Sequence, residues 1–246
     1  MQQPERPTPQ MPGGWTPQPQ TPQASVFDPQ AGPMPVGGPY WPEPQPVYAQ
    51  GPYQSWRQMG LNELLLDNGI IFLDLPLDPR IMINGNTVCS HVIKSMLHLS
   101  VKRDQEINLY INCPGGDIDD TLAIYDTMQF LRNDIATYCI GNASSGAAII
   151  LAAGTKGKRY ALPHAKVMIH QPWGYVGGQA ADMRIQAEEI QRIKKTLIEI
   201  LAYHTGKSTE QIERDTERDR YMTAAEALEY GLIDEILEES KGKKKK

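Results

Sequence analysis

Apolar positions recur along the chain from residue 61 onward in two alternating rhythms. Ile70 to Leu75 is a continuously apolar run of the kind that forms a strand buried on both faces. Ile107 to Ile111 and Ile135 to Ile140 read as two more apolar strands. Between them the period changes. Leu61 to Leu66 reads as a short helix. Thr87 to Ser100 places Val88, Val92, Ile93, Met96, Leu97 and Leu99 at helical spacing, and Ile118 to Leu131 does the same with Leu122, Tyr125, Met128 and Phe130. A helix over 146–153 follows the third strand, and short strands at 158–161 and 166–170 flank Pro163-His164. Ala180 to His204 predicts a long amphipathic helix, striped with Met183, Ile190, Ile193, Leu197, Ile200 and Leu201. Ser208 to Arg214 and Thr223 to Tyr230 are short helices that open with capping-box spacing, Ser208 with Gln211 and Thr223 with Glu226. Asp78 to Asn86 reads as a loop and Gly174 to Gly178 as a flexible stretch. Strand and helix in repeated order predict an α/β fold with parallel pairs and right-handed crossovers.

In such a fold, ligands gather where strands end and helices begin. Two of these crossings carry small residues: Pro114-Gly115-Gly116, and Asn142 to Gly146 with Ser144 and Ser145 inside it. They follow successive strands, so the two loops are expected side by side. Their backbone N–H groups can then converge on one spot, as in an oxyanion hole. A phosphate cradle is the rival, but neither loop carries Gly-Lys-Ser/Thr and no GxGxxG is present. A serine at a strand-to-helix turn either caps the helix or acts as a nucleophile beside free amides and a helix dipole. A nucleophile needs a base and an orienting carboxylate. His170 ends the run Val167-Met168-Ile169, although a strand-end histidine also serves structurally. The carboxylates within 215–220 are the candidates for the third role, and that run also suits a solvated loop or ion pairing across a subunit contact.

Composition changes the picture at both ends of the 246-residue chain. The first 53 residues hold 15 of the 20 prolines and one basic residue, Arg6. Such a segment cannot offset its ordering entropy by burial, so residues 1–55 are expected to be a disordered Pro/Gln/Gly-rich extension or propeptide. They carry no basic start followed by an apolar core, so a secretory signal is not expected. Residues 56–238 suit one domain. Residues 239–246 form a Lys-rich tail, most simply a solvated one. Cys89, Cys113 and Cys139 lie in or beside apolar segments without CxxC spacing, which points to buried, reduced thiols and a cytoplasmic protein. The net charge of −5 does not favour nucleic-acid binding, and no apolar run reaches the roughly 18–20 residues of a membrane helix.

Several stretches resemble the proteolytic subunit of the Clp protease family. They are Tyr-Ile-Asn-Cys-Pro-Gly-Gly (110–116), Ile-Tyr-Asp-Thr-Met-Gln-Phe (124–130), Ala-Ala-Gly-Thr-Lys-Gly-Lys-Arg-Tyr (152–160), Val-Met-Ile-His-Gln-Pro (167–172), Gly-Gln-Ala-Ala-Asp (178–182) and Asp-Thr-Glu-Arg-Asp-Arg (215–220). The resemblance covers about 57–237. It implies a crotonase-like α/β fold, homo- or hetero-oligomeric heptameric rings stacked in pairs, and serine proteolysis of unfolded chains inside the chamber. It implies an AAA+ unfoldase partner such as ClpX, ClpA or ClpC, which uses the ATP; this chain itself needs no cofactor. The family's nucleophile falls on Ser145, its base on His170 and its orienting carboxylate on Asp219. The oxyanion donors fall on the amides of Gly116 and Gly146. Tyr110 and Phe130 align with docking-pocket aromatics, and plain core positions are the other reading of both. Glu217 and Arg218 are candidates for inter-ring pairing, and the long helix for the inter-ring handle.

The chain also departs from the family. The family usually has Ala-Ser-Met-Gly-Ala around its nucleophile, whereas here Gly146 follows Ser145 and Ala147 replaces the glycine, so a looser turn and a crowded Ala147 are expected. Cys113 stands for Ser, Asp119 and Asp120 for small or neutral residues, and Met183-Arg184 and Glu188 alter the helix's charge pattern. These departures suggest a divergent paralogue. A weakly active or inactive structural subunit of a mixed ring is the alternative function. An acyl-CoA enzyme of the crotonase superfold is a further one.

Overall fold

The computed structural model describes residues 60–101, 105–172, 174 and 177–238. The expected extension at 1–55, the tail at 239–246 and part of the 174–178 stretch lie outside the described residues. In chain order the elements are α1 (Leu61–Asp67), β1 (Ile70–Leu73), β2 (Met82–Ile83), β3 (Asn86–Thr87), α2 (Val88–Ser100), β4 (Ile107–Cys113), α3 (Ile118–Phe130) and β5 (Ile135–Ser144). There follow α4 (Gly146–Ala152), β6 (Arg159–Ala161), β7 (Lys166–Ile169), α5 (Ala180–Thr205), α6 (Thr209–Asp215), β8 (Arg220–Thr223), α7 (Ala224–Tyr230) and β9 (Glu235–Ile236). The fold is α/β, with crossover helices and a main sheet that is parallel apart from the antiparallel pairing of β7 with β8; β2 and β3 form a separate antiparallel pair.

β5 is the axis of the sheet. It pairs with β4 on one edge; on the other it meets β6 at residues 137–139 and then β7 at 142–144. On the opposite edge, the β4–β5 ladder is bulged at the same level: Ile111 faces Cys139, but Cys113 faces Ala143. Asn112 fills the bulge. Its Oδ1 accepts from the Asn142 amide at 3.1 Å, and a Cβ on Gly141 would stand 2.6 Å from that same oxygen. The strand runs on to Ser144 instead of ending at Ile140.

The continuously apolar runs do not bury both faces. In β4, Ile107, Leu109, Ile111 and Cys113 are buried under α2, α3 and α4, while Asn108, Tyr110 and Asn112 point the other way. On that second face Phe72, Tyr110, Tyr138 and Tyr160 occupy matching register positions on β1, β4, β5 and β6. Their rings stack at centroid separations of 5.4, 4.6 and 4.9 Å. The stack shields apolar surface that no helix covers among the described residues.

Other differences have local causes. Residues 78–86 contain a hairpin, not a plain loop, with Asn84 and Gly85 both at positive φ. Asn-Gly at such a two-residue turn is a strong hairpin signal. β8 and β9 are too short and polar for periodicity to reveal. The Thr223–Glu226 capping box closes in both directions, whereas Ser208 only receives the Gln211 amide. The stripe of α5 is core only in the C-terminal half, through Leu197 and Leu201; Met183 is exposed.

His204, near the end of α5, packs beside Arg159, which is tied to Asp234 at 2.6 Å. Burial, then the Arg159 charge, lowers His204 from 6.5 to about 4. Its folded pKa lies below its unfolded one, so the unfolded chain binds the extra proton between the two. Stability contributed by neutral His204 is therefore lost as pH falls from 6.5 towards about 4. His204→Gln is expected to flatten urea midpoints over that window, relative to the wild type.

Candidate active site

β5 delivers Ser145 onto a sharp turn. Its backbone sits at φ 57°, ψ −126°, a region that a residue with a Cβ rarely occupies. Neighbouring contacts hold it there. The Ser145 amide donates to Met168 O of β7 at 2.8 Å, and the Ser145 carbonyl receives the Ala148 amide at 2.9 Å to start α4. Ser145 stands at the N-cap position, yet its hydroxyl makes no capping bond. It lies 2.8 Å from His170 Nε2 instead. Ser144 is the buried neighbour, and its hydroxyl donates to Asn142 Oδ1 at 2.8 Å.

His170 and Asp219 meet because of strand register. β7 and β8 are antiparallel with Ile169 opposite Arg220, so the next residues outward are His170 and Asp219. His170 Nδ1 lies 3.0 Å from Asp219 Oδ1. This partner assigns the proton to Nδ1 and leaves Nε2 to accept from the serine hydroxyl. Gln171 ties the two segments together. Its amide donates to Thr216 O at 2.6 Å and its side chain to Glu217 O at 3.0 Å. Behind Asp219, Arg220 pairs with Asp215 at 2.6 Å, and the Tyr230 hydroxyl donates to Asp215 at 2.8 Å. Burial first, then this bond, pushes the Tyr230 hydroxyl up.

Two glycine contacts bring the second loop against the turn. Gly115 has φ 86°, and a Cβ there would stand 2.5 Å from Ser144 O and 2.9 Å from Gly146 N. A Cβ on Gly116 would stand 2.1 Å from Leu77 O. Only glycine permits these approaches. Among the described residues, the amides of Gly116 and Gly146 have no hydrogen-bond acceptor, and both glycines line a cavity with Ser145 and His170. An adjoining open cleft of about 590 Å³ runs from the 114–119 loop to Ile193 of α5, with Ser145 and His170 along it. The arrangement can activate a hydroxyl and receive negative charge on an oxygen held by two amides.

The expected looseness at Gly146 is not found. The residue is buried, and a Cβ on it would stand 2.2 Å from Thr121 Oγ1. Ala147 is also fully buried. The Cys113 thiol donates to Leu75 O at 3.0 Å and receives the Gly115 amide at 3.3 Å; burial pushes it up to about 11, so it supports the loop rather than attacking. Asp119 borders the cleft, whereas Asp120 turns a carboxylate oxygen into a buried spot without a partner. Tyr110 and Phe130 are not core residues: Tyr110 belongs to the aromatic stack and Phe130 is 80% exposed. Glu217 and Arg218 are exposed on the loop before Asp219. Thr121, Gln171 and Arg220 carried no signal in the sequence, because each acts on a residue distant in the chain or through the backbone.

The model of the family described as Clp protease matches residues 54–240. The ATP-dependent Clp protease proteolytic subunit 1 of Rhodopirellula baltica is 49% identical over 185 residues, which cover 75% of this chain and 79% of that protein. The geometry separates the two serines. Because the Ser144 hydroxyl is engaged with Asn142, Ser144→Ala is expected to leave peptide turnover unchanged and to lower unfolding free energy by about 1 kcal/mol. Steady-state kinetics and denaturant titration check both.

Proposed function

This chain belongs to the Clp protease family, and we propose that it cleaves unfolded polypeptides by serine chemistry as the peptidase subunit of an ATP-dependent Clp complex. The observation that carries this reading is the line from Asp219 through His170 to Ser145, at 3.0 and 2.8 Å, beside two amides with no acceptor among the described residues. Ser145 Oγ attacks the peptide carbonyl carbon and His170 Nε2 takes the hydroxyl proton. The carbonyl oxygen becomes an oxyanion held by the Gly116 and Gly146 amides. His170 then gives its proton to the departing amine, leaving an acyl-enzyme. Water, activated by His170, releases the peptide and restores the serine. Asp219 holds the imidazole tautomer and stabilises its protonated form. The strained Ser145 backbone favours an active subunit over a purely structural one, since strain of about 1–3 kcal/mol persists where it serves a site.

The assembly follows the same reading. Heptameric rings, of one chain or of two, stack in pairs and enclose the cleft. The exposed N-terminal half of α5, with Met183 and Ile185, supplies apolar surface for the ring-to-ring contact. The aromatic face with Tyr110, together with exposed Phe130, receives an AAA+ unfoldase, which consumes the ATP.

A fluorophosphonate probe is expected to label the wild-type complex at Ser145 and to leave Ser145→Ala unlabelled. Absence of labelling of the wild type, both alone and with its unfoldase and any sister subunit, would overturn the reading. Arg218 is exposed beside Asp219, so Arg218→Ala is expected to lower particle mass and activity together. Native mass spectrometry with unchanged mass and rate would remove the inter-ring role.

A further inference from the structure

We infer that Thr121 is a positioning residue that orients the Gly146 amide and sets its separation from the Gly116 amide. This inference rests on the reading of Ser145 as nucleophile. Thr121 lies in the first turns of α3 and is 1% exposed, although its side chain is polar. It occupies the space beside Gly146: a Cβ on Gly146 would meet Thr121 Oγ1 at 2.2 Å, Cγ2 at 3.1 Å and Cβ at 3.2 Å. Thr121 is itself fixed from the other side. Its hydroxyl donates to Asp117 O at 2.8 Å and its amide to the same oxygen at 3.1 Å.

The contacts continue from there into the second loop. The Asp117 amide donates to Leu77 O at 2.6 Å, and the Leu77 amide donates to Gly115 O at 2.9 Å. Gly115 in turn abuts Ser144, Ser145 and Gly146. The path closes on itself: Gly146, Thr121, Asp117, Leu77, Gly115, and back to the turn. The Gly146 amide lies on this ring, Gly116 is the residue between its members Gly115 and Asp117 in the chain, and the Thr121 side chain links α3 to the turn. Backbone hydrogen bonds and the close packing of Gly115 on the turn make the rest of the ring, so the size and hydroxyl of residue 121 set its dimensions. Thr121 also lines the cavity that holds Ser145, Gly116 and Gly146.

The test is a two-residue cycle in the assembled enzyme, with kcat and KM measured on a fluorogenic peptide. Gly146→Ala pushes against Thr121 and is expected to lower kcat about 100-fold with KM little changed, as misplacement by about 1 Å does. Thr121→Ala alone leaves Gly146 unsupported and is expected to lower kcat roughly tenfold, while Thr121→Ser keeps the hydroxyl and stays near wild type. Thr121→Ala placed in Gly146→Ala removes Oγ1 and Cγ2 and is expected to raise kcat at least about tenfold over Gly146→Ala. A double variant no faster than Gly146→Ala, or a Thr121→Ala enzyme with wild-type kcat, overturns the inference. Fluorophosphonate titration separates this outcome from failure of the nucleophile reading, which would show as an unlabelled wild type. Should Gly146→Ala not assemble, the kcat of Thr121→Ala against Thr121→Ser decides alone.

Discussion

Ser145 holds a backbone conformation that costs about 1–3 kcal/mol for a side chain with a Cβ, and much of the surrounding structure serves to keep it there. Released, the turn would relax toward an ordinary N-cap, and the hydroxyl would satisfy a helix amide instead of facing His170. Three restraints prevent this. The Ser145 amide is bonded to β7, the Ser145 carbonyl starts α4, and Gly115 closes over the turn where no side chain fits. The strain and the chemistry therefore have one origin: an amide-rich turn that cannot relax keeps both its hydroxyl and its free N–H groups aimed at the cleft.

The sheet supplies these restraints because β5 changes partner along its length. A longer β6 would run alongside β5 to its end and leave β7 no edge to join. β6 ends opposite Cys139, so the last residues of β5 are open to β7, and β7 brings His170 with it. β8 then returns antiparallel and sets Asp219 beside His170 by register alone. Among the described residues no helix covers the aromatic face of the sheet, and Tyr138 on that face and the turn at Ser145 share one strand.

Much of this was legible in the chain before folding. The alternation of strand and helix periods placed β1, β4, β5, α2, α3 and α5, because each is long enough to display its period. The glycine pair at 115–116 and the small residues at 142–146 marked the two loops that meet. Periodicity misread the faces of β1, since Phe72, stacked on Tyr110, looks as apolar as a core residue when only sequence is considered. It also missed β8 and β9, which are short, polar and defined by their partners.

The sequence by itself determined the class of fold, the strand ends at which Ser145 and His170 lie, and, through its likeness to a family, which carboxylate completes the line. Only the tertiary structure decided how those residues are used. Ser144 and Ser145 are equivalent as composition and differ by one position. Which hydroxyl reaches His170 depends on the turn at positive φ and on the pairing of β5 with β7. Likewise Gly146 reads as looseness in one dimension and as a filled contact in three, because Thr121, 25 positions away, occupies its space. The physical reason is common to both cases. Local spacing records the period of a strand or helix, whereas the fit of a turn against its neighbours is set by contacts between segments remote in the chain.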